Sequence, residues 1–116
     1  MKILFIINDP PYGTERCFNA FRLSLALLKE EEKPEVSVFL MADAVLAAKA
    51  GQKTPDGYYN LENMLKGIIR QADVVLCGNC MDVRGIGEGE LVPGAVSGTM
   101  PQLANLTLAA DKVLVF

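Results

Sequence analysis

A chain of 116 residues with 51% hydrophobic residues fits one domain, leaves no room for a second, and can bury one real core without staples. Its formal net charge of −3, with eleven basic residues scattered rather than clustered, argues against nucleic acid as a partner. Histidine is absent, which removes Ser-His-Asp and Cys-His mechanisms and any neutral-pH imidazole base.

The mean hydropathy of +0.26 is high for so small a protein, and a subunit interface is where the surplus apolar surface is expected to go. The apolar stretch Ile3 to Ile7 is too short for a secretory leader or a membrane span and breaks at Asn8-Asp9-Pro10-Pro11. Three cysteines cannot form a closed disulfide framework. The expectation is a cytoplasmic protein with no membrane association, whose thiols stay reduced unless they are working.

Lys2 to Ile7 reads as a strand buried on both faces of a parallel sheet. A Pro/Gly loop follows from Asn8 to Gly13, and Thr14 is a candidate N-cap for a helix reaching about Lys29. Cys17, Phe18, Phe21, Leu25 and Leu28, widened by Leu27, form its apolar stripe. After the charged turn Glu30 to Glu35, Val36 to Met41 is the second strand. Asp43 is placed to cap a helix over Ala44 to Ala50 that Gly51 ends. Gln52 to Tyr59 is a polar loop long enough for binding or contact.

Asn60 should cap a helix whose Leu61, Met64, Leu65, Ile68 and Ile69 share a face. Val74 to Leu76 is the third strand, and residues 85–89 read as loop. Ala95 to Ser97 is a short fourth strand. Thr99-Met100-Pro101-Gln102 is a capping box opening a helix with Leu103, Leu106 and Leu108 on its stripe. Lys112 to Phe116 is the last strand. Strands alternating with helices predict a parallel α/β sandwich.

The sharpest local signal is Cys77-Gly78-Asn79-Cys80, at the carboxyl end of the third strand, where α/β proteins place their chemistry. Its structural alternative is plain: cysteine is often a buried core residue. Chemically, an unperturbed thiol is only about 3% thiolate near neutral pH. A guanidinium nearby lowers an acid by roughly 1–3 pH units. Arg84 would supply that charge if the loop folds back, with Asp82 acting against it. A thioredoxin-type pair wants the motif at a helix start, and the following Met-Asp-Val-Arg-Gly-Ile-Gly reads as loop. A zinc site wants four ligands, and only the distant Cys17, itself on an apolar stripe, could add another cysteine. The third reading is carriage of a sulfur atom as a persulfide.

Several segments together carry a resemblance. They are Asn8 through Gly13 as N-x-x-PYG, Phe18-Asn19-x-x-Arg22-Leu23, Phe39-Leu40-Met41-x-Asp43-Ala44-Val45 and Gly51-Gln52-Lys53. Cys77-x-x-Cys80-x-Asp82-x-Arg84-Gly85-Ile86 and Ala110-Asp111-Lys112-Val113-Leu114 complete the set. On these residues the chain resembles, end to end, the DsrE/DsrF-like proteins of the sulfur-relay group, most closely the YchN-like branch. The resemblance implies a three-layer α/β/α subunit with a five-stranded parallel sheet, assembled as trimers or hexamers and needing no cofactor or metal. It also implies sulfur donor and acceptor proteins as partners. By that likeness Cys77 takes the persulfide-bearing position and Arg84-Gly85 that of the family's arginine-glycine; the residues themselves offer Cys80 as a resolving or supporting thiol, or one with a different purpose, and Arg84 as an electrostatic activator. Val83 stands where the relay proteins have a first arginine, and Cys80 is an addition typical of the branch.

Gly85-x-Gly87-x-Gly89 follows the wrong strand for a dinucleotide fingerprint and reads as a flexible loop beside the thiols. The loop Pro10 to Glu15 ends the first strand, where doubly wound folds bind phosphate, but turn chemistry explains its Pro and Gly equally well. The alternative to a carrier is a non-catalytic oligomeric module that binds a small ligand or a protein, its cysteines merely filling space.

Overall fold

The apolar runs pair into one all-parallel sheet in the computed structural model, which describes residues 1–116. Its strands are β1 (Lys2–Ile7), β2 (Glu35–Leu40), β3 (Asp73–Cys77), β4 (Ala95–Gly98) and β5 (Lys112–Val115), in the order β4-β3-β2-β1-β5. The helices are α1 (Arg16–Leu27), α2 (Leu61–Ile69), α3 (Gly78–Asp82) and α4 (Met100–Ala109), with 3₁₀ turns at Ala42–Ala48 and Glu88–Glu90. This is the predicted fold class. No helix is long and apolar enough to cross a membrane.

Register decides which residues share a face. Ala95, Val74, Val38, Phe5 and Leu114 lie in one row across the sheet, and Val96, Val75, Phe39, Ile6 and Val115 lie in the next. Successive residues of a strand point to opposite faces, so the first row looks one way and the second the other. The first face is roofed by α1 and α2, whose Phe21, Leu61, Leu65 and Ile68 are fully buried against Phe5, Val38 and Leu76. The second face has α4 alone. There Leu103 packs on Leu4, Phe39 and Val75. Coverage of that face is incomplete: Val115 is 65% exposed and Val96 50%, while Leu108 of α4 is 86% exposed. The stripe expected on α4 therefore narrows to Leu103 with half-buried Leu106.

Three local expectations are corrected. Thr14 does not cap α1; its hydroxyl donates to Asp9 Oδ2 at 3.0 Å, and the helix starts two residues later with no side-chain cap. The buried stripe of α1 is Cys17, Ala20, Phe21 and Ser24, continued by Leu28 just past its end, and the Ser24 hydroxyl donates to the Ala20 carbonyl at 2.9 Å. Asp43 does not cap a helix over 44–50 either. The 3₁₀ turn begins at Ala42, and Asp43 lies inside its first turn.

The Asn60 cap forms as expected, and at Thr99 one half of the expected capping box does. Asn60 Oδ1 accepts from the Asn63 amide at 3.1 Å, and Thr99 Oγ1 accepts from the Gln102 amide at 3.3 Å. The polar loop after Gly51 is pinned rather than loose: Glu62 accepts from the Gly51 and Gln52 amides at 2.9 and 2.8 Å, and the Tyr12 hydroxyl donates to Gln52 Oε1 at 2.7 Å.

Gly98 shows how closely α4 approaches the sheet. A Cβ there would run into the Val75 side chain and the Gln102 carboxamide. Gly98→Ala is expected to destabilise the fold by about 1–3 kcal/mol through overpacking. A lower denaturant midpoint at unchanged slope would show it.

Candidate functional site

Strand β3 ends at Cys77 and α3 begins at the next residue. The segment Met81 to Gly87 was expected to be loop; its first two residues instead close a five-residue helix that begins at Gly78, so the Cys77–Cys80 pair stands at a helix start after all. The reason is a cap that sequence patterns built on Ser, Thr, Asp and Asn overlook. Cys77 has extended backbone (φ −61, ψ 113), and its Sγ accepts from the Cys80 amide at 3.2 Å. Met81 and Ile86 are both buried and hold the far end of the turn to the core, with Ile86 N donating to the Met81 carbonyl at 3.0 Å. Gly85 accommodates φ +67. Gly78 is also closely placed, since a Cβ there would lie 3.3 Å from the Gly98 carbonyl.

The half-buried Cys77 opens into a cleft of about 440 Å³ between the carboxyl ends of β2, β3 and β4 and the start of α4. Asn79, Asp82, Ser97 and Thr99 supply its polar wall, and Phe39, Met41 and Met100 its apolar one. Cys80 does not line the cleft. It packs against the larger hydrophobic cluster behind it. Cys17 is fully buried on α1, in the core position expected of it, and cannot join the pair. No three His, Cys, Asp or Glu side chains converge as a metal site would require.

The electrostatics of the pair differ from what Arg84 suggested. Its guanidinium donates to Asp43 Oδ1 through Nε at 3.0 Å and Nη2 at 2.8 Å, and to the Cys80 carbonyl through Nη1 at 3.0 Å. Arg84 therefore braces the backbone of α3 and is neutralised by Asp43. The Cys77 thiol is pushed up from its ordinary value, first by burial and then by the neighbouring Cys80 thiol. The amides of Cys80 and Asn79 act in the opposite direction. The net direction at Cys77 is upward, the opposite of activation.

Sequence reasoning missed Asp43 as the anchor of Arg84, because no pattern links residues 41 positions apart. It also missed Ala42, which sits at φ +50 between cleft-lining Met41 and Asp43. A left-handed alanine costs roughly 1–2 kcal/mol, and here it turns Asp43 toward Arg84 at the strand end. Glu88 is a third addition. It accepts from Ser97 Oγ at 2.6 Å and Ser97 N at 3.3 Å, ties residues 85–90 to β4, and has its carboxyl held below the usual range by those bonds.

The sequence matches the DsrE/DsrF-like family over residues 1–116. The chain belongs to that family. It is 45% identical to protein YchN of Escherichia coli over 99% of its own length and 98% of the relative's, and 38% identical to protein MK0008 of Methanopyrus kandleri over 98% and 93%. The crystal structure of the Escherichia coli ychN protein superposes with a TM-score of 0.93, covering 99% of this chain and 98% of that one. MTH1491 of Methanobacterium thermoautotrophicum, at 11% identity and a TM-score of 0.78 over 97% of both chains, shows the shared fold alone. None of these relatives has a name that states an activity.

Cys17 provides a test of the core. Burial, and secondarily the Asp9 carboxylate, raise its thiol from 9.0 to about 12. The unfolded chain then releases this proton near its ordinary value while the folded chain keeps it. Stability present below about pH 9 should therefore fall as pH rises toward 12. Denaturation curves across this range should show the fall in the wild type and a shallower one in Cys17→Ala.

Proposed function

We propose that the protein carries sulfane sulfur as a persulfide on Cys77 and passes it between partner proteins. The observation that carries this reading is position: of three thiols, only Cys77 faces a cleft, and it does so at the carboxyl edge of a parallel sheet. Membership of a family associated with sulfur relay supports the same chemistry. Loading forms a bond between Cys77 Sγ and the outer sulfur of a donor persulfide, and the donor leaves as a thiolate. A reducing cytoplasm would keep all three thiols free for this exchange.

A second copy of the chain is the partner that the second sheet face fits. Val96, Val115, Met100 and Leu108 are exposed there, and nothing in the subunit covers them. Assembly into trimers or hexamers would bury this surface. Leu108→Lys should shift the sedimentation coefficient toward that of the monomer, and a wild type already monomeric at micromolar concentration would end the idea.

One observation favours a non-covalent binding module instead: the Cys77 thiol is raised rather than lowered, and the Arg84 guanidinium is engaged by Asp43. Incubation with a small persulfide, followed by mass spectrometry, separates the two readings. A carrier gains sulfur chemistry at Cys77 that Cys77→Ser abolishes. Full loading of Cys77→Ser would refute the assignment.

A further inference from the structure

We infer that Cys80 discharges the persulfide on Cys77 within the same chain, releasing hydrosulfide and leaving a Cys77–Cys80 disulfide that a dithiol reductant must reopen. This rests on the proposal that Cys77 accepts sulfane sulfur. Left to itself, such a site is a sulfide-releasing centre rather than a passive carrier.

The geometry assigns the two thiols different tasks. Cys77 borders the cleft and meets an incoming donor, while Cys80 lies behind it against the core and does not reach the cleft. The Cys80 amide is 3.2 Å from Cys77 Sγ. Its own sulfur is three bonds from that nitrogen, so rotation about the Cys80 Cα–Cβ bond governs the approach of one sulfur to the other. Cys77 is the N-cap of α3 and Cys80 lies in its first turn, so the two side chains adjoin at the same corner. Arg84 keeps them so: it holds the Cys80 carbonyl at 3.0 Å and is itself fixed by Asp43 at 2.8 Å.

The same placement selects which sulfur is attacked. The added outer sulfur of a Cys77 persulfide projects into the cleft, and the inner one, Cys77 Sγ, stays beside Cys80. Cys80, as thiolate, attacks that inner sulfur. The new Sγ–Sγ bond forms as the bond to the outer sulfur breaks, and its electron pair leaves with hydrosulfide. The proton lost by the Cys80 thiol passes to solvent. Two cysteine sulfurs are oxidised by one electron each, and the sulfane sulfur is reduced by two. Besides Cys77, the cleft wall carries one ionisable side chain, Asp82, and no cation to retain the anion. Resetting the site transfers two electrons from a dithiol, whose attack again comes from the cleft and therefore falls on Cys77.

The test uses the reduced full-length protein and one equivalent of cysteine persulfide, without other reductant, followed by intact-mass and peptide mapping with sulfide measured in parallel. The wild type should lose two hydrogens as a Cys77–Cys80 disulfide and release about one equivalent of sulfide, and dithiothreitol should restore its capacity. Cys80→Ser should instead retain one extra sulfur on Cys77 and release none; Cys80→Ala provides the same readout should the serine variant fold poorly. A wild type that keeps a lasting persulfide, with no disulfide and no sulfide, overturns the inference and leaves the carrier reading standing. Absence of added sulfur on Cys77 in the Cys80 variants overturns the carrier reading itself, and the inference with it.

Discussion

Cys77 Sγ accepting the Cys80 amide is the interaction around which the site is organised. It satisfies one of the donors that a helix start leaves open, and so lets β3 pass into α3 with no intervening loop. Everything functional depends on that abrupt change. It turns Cys77 into the cleft and brings Cys80 behind it, and it presses Gly78 against the Gly98 carbonyl so that β4 and α4 form the opposite wall. A serine in the capping place would build the same corner without the chemistry. Here one sulfur is both a structural acceptor and the one thiol that lines the cleft.

The corner is reinforced from the other side by a charge pair that does not act on the sulfur. Arg84 and Asp43 are partly exposed, and pairs of this kind are worth about 0–1 kcal/mol. Their contribution is directional: the third bond, from Arg84 to the Cys80 carbonyl, fixes the end of a helix too short to hold itself. The strained Ala42 fits the same account, since it delivers Asp43 to that place at a local cost. Burial and a second thiol push the Cys77 thiol above its ordinary value. A thiol of raised pKa is also the stronger nucleophile once ionised, so its environment favours exchange on encounter over standing reactivity.

The two sheet faces divide the labour of the fold. One is sealed by α1, α2 and a contiguous core, and the other carries a single helix that leaves valines open on both edge strands. The cleft lies on the open side, beside Met100 at the start of α4. The open face and Cys77 are therefore neighbours.

The amino-acid order by itself determined the parallel sheet, its strand positions, the caps at Asn60 and Thr99, the core role of Cys17 and the placing of Cys77 at a strand end. Each of these follows from short-range pattern: continuous apolar runs, turn residues and capping side chains. Tertiary structure alone decided that Asp43 serves Arg84 rather than a helix, that Arg84 braces Cys80 rather than activating Cys77, and that α3 exists at all. Those outcomes depend on bonds between segments far apart in the chain and on a sulfur acting as a cap. Local propensity carries no record of either, because the partner is chosen by the folded sheet and not by its neighbours in sequence.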